Sequence, residues 1–118
     1  MLYWAGLAWT CRCLAEAIAE RETLLVAKEK AALINADAKL QALGPRLPYP
    51  HSSAVAGANR LRELRPRGRR SPWRALYRQV GDEFVVAAIA PETQVDPPGF
   101  AGACRHAEAH LAKREQTK

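Results

Sequence analysis

Residues 61–90 read LRELRPRGRRSPWRALYRQVGDEFVVAAIA, and this stretch decides the fold. Two segments within it, 73–80 and 84–90, are rich in apolar and aromatic residues, and the dipeptide Gly81-Asp82 separates them. Such a short junction between two runs of this kind is typical of a β-hairpin. The second segment is apolar without alternation, which predicts a central strand that is covered on both faces.

The residues in front of the hairpin predict a third strand and a basic turn. Residues 59–65 alternate weakly, with Leu61 and Leu64 as the apolar positions, and this pattern favours a strand. Residues 66–72 contain two prolines and one glycine, which favour a turn. We therefore expect the sheet to lie within residues 59–94.

The N-terminal part, residues 1–44, is predicted to be helical. Residues 7–43 contain no Pro or Gly and are rich in Ala, Leu, Glu and Lys, which are the strongest helix formers. The apolar positions indicate two helices at about 12–20 and 23–43, with one continuous helix as the alternative. Thr23 could cap the second helix. The pattern of the first nine residues fits a short strand and an extra helix equally well.

Residues 45–58 are predicted to form a connector, and residues 97–115 a C-terminal helix. Three prolines and one glycine favour irregular backbone in the connector. The C-terminal helix carries four apolar or small residues on one side: Phe100, Ala103, Ala107 and Leu111. The order of these elements predicts a single α+β domain over residues 1–118, in which N-terminal helices and a C-terminal helix pack on a small antiparallel sheet.

The composition excludes several classes of protein. Apolar residues make up 48% and charged residues 25%, close to the globular average, which argues against wholesale disorder. The longest stretches without Asp, Glu, Lys or Arg, residues 1–11 and 47–59, are far shorter than the roughly 20 apolar residues of a membrane-spanning helix. Three cysteines are too few for a disulfide scaffold. We expect a cytoplasmic protein that does not contact a membrane.

The positive charge of the chain is concentrated in one segment. The chain carries 18 Lys and Arg against 12 Asp and Glu, a formal net charge of +6. Between residues 60 and 78 there are eight arginines, and Glu63 is the one acid among them. Because arginine holds phosphate in two-point contacts, this density indicates phosphate recognition. A solvated charged loop is the alternative.

These segments, in this order, resemble a known family. The run 61–65, the basic turn, the strand 73–77, the Gly81-Asp82 turn and the apolar strand are similar to the RelE/HigB toxins of bacterial toxin–antitoxin systems. Within the RelE/ParE superfamily, the phage-derived HigB-like branch is the most similar. The resemblance covers about residues 30–114.

The resemblance implies an activity and its partners. It implies an mRNA interferase that cuts messenger RNA on the ribosome, inhibits translation and is neutralised by a cognate antitoxin protein. The implied endoribonuclease uses no metal and no other cofactor. The RNA 2′-hydroxyl attacks the adjacent phosphate, which leaves a 2′,3′-cyclic phosphate and a free 5′-hydroxyl.

The resemblance also implies roles for individual residues. Arg74 matches the arginine of the family's Y-R-x-L-Y strand and is expected to stabilise the phosphate, and Arg65 matches the arginine that closes E-L-R. Glu63 is a candidate general base, with a simple ion pair to a neighbouring arginine as the favoured alternative. Tyr77 is a candidate for stacking on a base, with a core position as the alternative, because strand alternation separates it from Arg74. The other arginines are expected to bind RNA: Arg60, Arg62, Arg67, Arg69, Arg70 and Arg78.

Two segments depart from the family's pattern. Many members carry a His and two Lys in a run similar to H-x-F-x-K-K-T-Q, whereas residues 87–94 read AAIAPETQ. The usual group for proton transfer is thus missing, so catalysis would rely on arginine, use Glu63 or be lost. The alternative function is a non-catalytic or ParE-like member of the fold that binds nucleic acid or DNA gyrase. The N-terminal segment also lacks a clear alternating strand, which puts the first strand of the sheet in doubt.

No metal site is predicted. Cys11 and Cys13 are one residue apart, whereas zinc sites usually space cysteines by about two to four residues. Nothing in the sequence brings this pair close to His106 and His110. Cys104 is expected to be a small packing residue of the last helix.

Overall fold

The computed structural model describes residues 9–116 of the chain. Within this range the strands and helices are β1 (Thr10–Cys13), α1 (Ala15–Leu24), α2 (Ala27–Leu43), β2 (Ser52–Ala54), β3 (Arg62–Leu64), β4 (Trp73–Val80), β5 (Glu83–Pro91) and α3 (Pro97–Gln116). Short 3-10 turns follow α2 and β3, at Gly44–Arg46 and Pro66–Arg69. None of the helices in this range combines the length and the hydropathy that are needed to cross a membrane.

The strands form one sheet in the order β1-β5-β4-β3-β2. The pairs β2–β3, β3–β4 and β4–β5 are antiparallel, whereas β1 runs parallel to β5. A parallel pair requires a long crossover connection, and α1 and α2 form the first part of it. The predicted α+β fold with N-terminal helices and a C-terminal helix is therefore confirmed, and the sheet is mixed at its β1 edge.

The two faces of the sheet pack against different helices. On one face, Ala75 and Tyr77 of β4 form a core with Leu33 and Leu40 of α2. On the other face, Leu76 packs with the apolar side of α3, which consists of the predicted Phe100, Ala103, Ala107 and Leu111. Cys104 packs beside this second core. All residues from 84 to 90 are buried, so β5 is covered on both faces as predicted.

The N-terminal helices begin later than the sequence predicts. Residues 10–13 form β1 because their backbone pairs with β5, a long-range contact that overrides their weak helical pattern. Thr23 is not a cap, since its Oγ1 donates to the carbonyl of Ala19 within α1 at 2.7 Å. Leu25 and Val26 are extended, which separates the two helices and excludes the continuous one.

The predicted connector contains a strand. Ser52–Ala54 pairs with β3 and forms the edge of the sheet, so only the rest of residues 45–58 is irregular. Gly44 ends α2 at a φ of 57°, as its position before a proline predicts. The C-terminal helix agrees with the predicted range 97–115. The undecided assignment of the first residues falls on 1–8, which lie outside the described part of the chain.

Candidate functional site

A polar cleft opens where β3 ends and β4 begins. Its volume is about 480 Å³. The loop between these strands borders it on one side, and the segment that follows β5 borders it on the other. The lining residues are Glu63, Arg65, Arg70, Arg74, Glu92, Thr93 and Gln94.

Strand pairing brings Glu63 of β3 and Arg74 of β4 to the same face of the sheet. Glu63 lies opposite Leu76 in the strand pairing, and Leu76 is two residues after Arg74 on β4. Because residues two apart on a strand share a face, Glu63 and Arg74 point away from α2. Arg65, two residues after Glu63, follows the same alternation. The sequence therefore determines this cluster once the pairing is known.

Glu63 is paired with both neighbouring arginines. Its Oε1 accepts hydrogen bonds from Nε of Arg65 and from Nε of Arg74, each at 3.2 Å. The Glu63 side chain is only 9% exposed. A buried carboxylate between two guanidinium groups orients those groups, which is the ion-pair alternative considered above.

Arg74 is the most deeply buried arginine of the cleft, with a side chain 3% exposed. Nη1 donates to the carbonyls of Ser71 at 2.6 Å and Trp73 at 2.9 Å. Nη2 donates to Oε2 of Glu92 at 2.9 Å. With Nε bonded to Glu63, all three nitrogens donate to protein acceptors. Arg74 therefore adds positive charge to the cleft, and four of its five N–H groups donate to protein acceptors.

Arg65 and Arg70 are more accessible. The Arg65 side chain is 17% exposed, and its guanidinium carbon lies 5.3 Å from the centroid of the Tyr49 ring. Burial lowers the pKa of Arg65, but hydrogen bonds to Tyr49 and Glu63 outweigh this effect and raise it overall. Nη1 of Arg65 is buried and has no hydrogen-bond partner among residues 9–116. Arg70 is exposed, and its Nε donates to the carbonyl of Arg67.

The loop that carries Arg70 is fixed to α2 by an ion pair that the sequence analysis missed. Nη2 of Arg67 donates to both carboxylate oxygens of Glu29, at 3.0 and 2.8 Å, and Ser71 Oγ donates to Oε1 of Glu29 at 2.7 Å. The Ser71 hydrogen bond lowers the pKa of Glu29 most, Arg67 lowers it further, and burial opposes both. Arg67 thus binds α2 and does not line the cleft.

The structure separates four other predicted residues from the cleft. Arg78 donates to the carbonyl of Asn59 and to Glu108 of α3. Arg60 and Arg62 line a different groove, near Gly44. Tyr77 is 2% exposed on the opposite face of the sheet, where its hydroxyl bonds with Ser52, so it occupies the core position given above as the alternative. The side chain of Arg69 lies outside the part that the structure describes.

Glu92 is the cleft residue that the sequence analysis did not consider. Its side chain is 23% exposed and pairs with Arg74. Its backbone N–H donates to the carbonyl of Pro72 at 2.9 Å, which ties the segment after β5 to the start of β4. The sequence contains a signal for this residue, because Glu92 matches the second Lys of the family's K-K-T-Q run. The family's lysine is thus replaced by a carboxylate at this position.

Metal ligands do not converge in the described part of the chain. Among residues 9–116, no group of three or more His, Cys, Asp or Glu side chains could hold a metal ion. Burial, with a contribution from Asp37, raises the pKa of the Cys11 thiol to about 12, which opposes formation of a thiolate ligand. His110 bonds through Nδ1 to the carbonyl of Ala87.

Comparisons with known proteins agree with this fold. A family model described as "Phage derived protein Gp49-like" matches residues 24–89. A search of curated proteins finds no match.

Two solved structures are similar to the chain. One is the toxin–antitoxin complex RelBE2 from Mycobacterium tuberculosis, with 19% identity, a TM-score of 0.55, and coverage of 72% of this chain and 99% of that one. The other is a mutant of the E. coli toxin RelE in the free state, with 14% identity, a TM-score of 0.60, and coverage of 91% of this chain and 97% of that one. At these identities the similarity shows the fold.

Proposed function

The chain belongs to the phage-derived Gp49-like family, and on that premise we propose that it is the toxin of a toxin–antitoxin system. Its activity is that of an mRNA interferase, an endoribonuclease that cuts messenger RNA on the ribosome and inhibits translation in the cytoplasm. The observation that supports this proposal most is the cleft in which Arg65, Arg70 and Arg74 converge. The RelE-like fold of the chain supports it as well.

The arrangement of these arginines suits phosphoryl transfer without a metal or other cofactor. Attack of a 2′-hydroxyl on the adjacent phosphate increases the negative charge on the phosphate oxygens, and fixed cations stabilise that charge. Arg70 is exposed, and Arg65 lines the cleft with a side chain that is 17% exposed, so these two arginines would contact the phosphate. Arg74 contributes charge from the floor of the cleft, where Glu63 fixes its orientation and that of Arg65. Removal of one such donor typically costs about 100- to 1,000-fold in rate.

A cognate antitoxin is the expected protein partner. The cleft is basic, so an acidic segment could compete with RNA for it. Apolar side chains are also exposed on α1, α2 and the segment between them: Ile18, Leu24, Val26 and Ile34. A helix of the antitoxin that packed against these side chains would bury them. One of the similar structures is that of a toxin–antitoxin complex.

Inducible expression in a bacterium, with RNA 5′-end mapping, tests the proposal. We expect the wild type to arrest growth and to create new 5′ ends within coding sequences. The double variant R65A/R70A should abolish both effects, because it removes the accessible cations and keeps Arg74. Arg46 is exposed in the turn after α2 and does not line the cleft, so R46A is the matched control and should behave as the wild type.

One observation favours a second candidate function. Since all three nitrogens of Arg74 donate to protein acceptors, the cleft also suits a non-catalytic member of the fold that only binds its target. In the same experiment, growth arrest without new 5′ ends would favour a target other than RNA, such as DNA gyrase. Normal growth and no new ends would contradict the toxin proposal itself.

A further inference from the structure

We propose that Glu92 is the general base of the cleft. This inference rests on the proposed RNA cleavage and identifies the residue that performs its proton transfer. Transesterification requires that the attacking 2′-hydroxyl lose a proton. Arginine does not accept one, because its guanidinium stays protonated at working pH. The residues that stabilise the phosphate therefore cannot complete the reaction alone.

Two carboxylates line the cleft, and they are in different situations. Glu63 is 9% exposed and bonds through one oxygen to two guanidinium groups, so it has little access to a substrate hydroxyl. Glu92 is 23% exposed and, among the described side chains, bonds to one guanidinium group, that of Arg74. Of the two, Glu92 has the access that a proton acceptor needs.

The backbone of Glu92 is fixed on both sides. Its N–H donates to the carbonyl of Pro72, and its own carbonyl accepts from the N–H groups of Val95 and Asp96, at 3.0 Å each. The side chain therefore extends into the cleft from a defined position. This is the precision that a base within hydrogen-bond reach of its substrate requires.

The pairing of Glu92 with Arg74 couples phosphate binding to base activation. The 2′-hydroxyl of RNA is a neighbour of the phosphate that it attacks, so the base and the phosphate-binding cation must be adjacent. Nη2 of Arg74 and Oε2 of Glu92 are 2.9 Å apart. When a phosphate oxygen takes over the donor of Arg74, the carboxylate of Glu92 is released next to the 2′-hydroxyl.

The step balances without a metal or a redox partner. The Glu92 carboxylate takes the proton of the 2′-hydroxyl, and the electron pair on O2′ forms the bond to phosphorus. The bond from phosphorus to the 5′-oxygen breaks with its electron pair on that oxygen. This oxygen takes a proton from water, which yields the free 5′-hydroxyl, and Glu92 returns its proton to water.

The test compares two substitutions of Glu92 with a control. An mRNA is translated in a cell-free reaction with purified protein, and cut ends are quantified by primer extension. We expect E92Q to cut at least about 100-fold more slowly than the wild type, the lower end of the usual effect of a general base. E92Q should bind a 2′-deoxy analogue of the cut site at least as tightly as the wild type, because a negative charge is removed. D82N, in the exposed β4–β5 turn, replaces a carboxylate outside the cleft and should leave cutting unchanged.

The variant E92H separates proton transfer from a purely structural ion pair. A neutral imidazole accepts a proton but cannot form the carboxylate–guanidinium pair. E92H should therefore cut faster than E92Q, with a pH profile that falls as the pH drops below about 6.5, the ordinary pKa of histidine. A role limited to pairing with Arg74 predicts that E92H and E92Q are equally impaired. This comparison holds even if both variants are less stable than the wild type.

The outcomes distinguish the inference from the function on which it rests. A wild type that cuts, with E92Q at the same rate or faster, overturns the role of Glu92 and leaves the proposed function intact. Equal loss in E92Q and E92H reduces Glu92 to a positioning residue for Arg74. A wild type that makes no cuts overturns the proposed function, and the inference with it.

Discussion

The arginines of strand β4 differ from Arg65 and Arg70, which line the cleft, in how far they are buried and paired within the protein. Arg74 and Arg78 have side chains that are 3% and 10% exposed, and they donate to backbone carbonyls and carboxylates. Arg65 is 17% exposed and shares one carboxylate with Arg74, and its buried Nη1 has no hydrogen-bond partner among the described residues. Arg70 is exposed.

The arginines of an arginine-rich segment are therefore not equally available to a ligand. A buried guanidinium must find acceptors for its donors, because an unpaired buried charge is costly. Once these acceptors come from the protein, the residue contributes to the fold before it contributes to binding. We therefore expect substitutions in β4 to affect stability first, and substitutions of Arg65 and Arg70 to affect RNA first.

The largest expected effect is the loss of stability in R74A. The substitution leaves Glu63 with one partner and Glu92 without its described one, and it removes the bonds to two backbone carbonyls. Breaking a buried ion pair from one side typically costs about 3–5 kcal/mol. Urea denaturation at neutral pH measures the free energy of unfolding, with R46A as the exposed-arginine control. A value for R74A close to that of R46A would erase the distinction between the two groups.

The second effect concerns Arg67, which, like the β4 arginines, pairs with a carboxylate of the protein. E29Q weakens the hydrogen bonds of Glu29 with Arg67 and Ser71 and should lower the free energy of unfolding by about 2 kcal/mol at pH 7. The Ser71 hydrogen bond, with the help of Arg67, lowers the pKa of Glu29 in the folded protein. A carboxyl with a lowered pKa stabilises the fold above its ordinary pKa of 4.5, and this contribution is lost as the pH falls below that value.

The pH dependence of this effect provides its check. The difference between wild type and E29Q should shrink when unfolding is measured at progressively more acidic pH. D82N should show no comparable difference at either end of the series, because Asp82 is exposed in a turn. A difference that grows with acidity would contradict the lowered pKa of Glu29.

The third and smallest effect concerns RNA binding by Arg65 and Arg70. Glu63 keeps its bond to Arg74 in R65A/R70A, so this variant should lower the free energy of unfolding by less than R74A does. It should weaken binding of single-stranded RNA and reduce the slope of log affinity against log salt by about 1.4, which corresponds to two phosphate contacts. Fluorescence anisotropy over a salt series measures the slope. If R65A/R70A and R46A give the same slope, the two accessible arginines do not contact phosphate.

Elements with their own local pattern could be predicted from the sequence. Strand β4 is rich in apolar and aromatic residues and ends at a Gly-Asp turn, and α3 carries its apolar side at helical spacing, so both were predicted with nearly correct bounds. Strand β1 could not be predicted, because its four residues have no clear alternation and depend on pairing with β5. The same holds for β2, a short edge strand that depends on β3.

Only the part of the candidate site that depends on a local pattern could be predicted. The alternation of β4 separates Arg74 from Tyr77, and this separation is visible in the sequence alone. The partners of the arginines come from distant parts of the chain, so no local pattern predicts them. Glu29 lies 38 residues from Arg67, and Glu92 lies 18 residues from Arg74. Charge counted along the sequence therefore overestimated how many arginines are available to RNA.

The chemistry of the new RNA ends is the most direct test of RNA cleavage by the arginine-lined cleft. RNA fragments from cells that express the wild type should carry 2′,3′-cyclic phosphates on one side of the cut and free 5′-hydroxyls on the other. Cells that express R65A/R70A should lack these fragments. Fragments with 3′-hydroxyl and 5′-phosphate ends, or the same cyclic ends in the R65A/R70A cells, would contradict cleavage by an arginine-lined cleft.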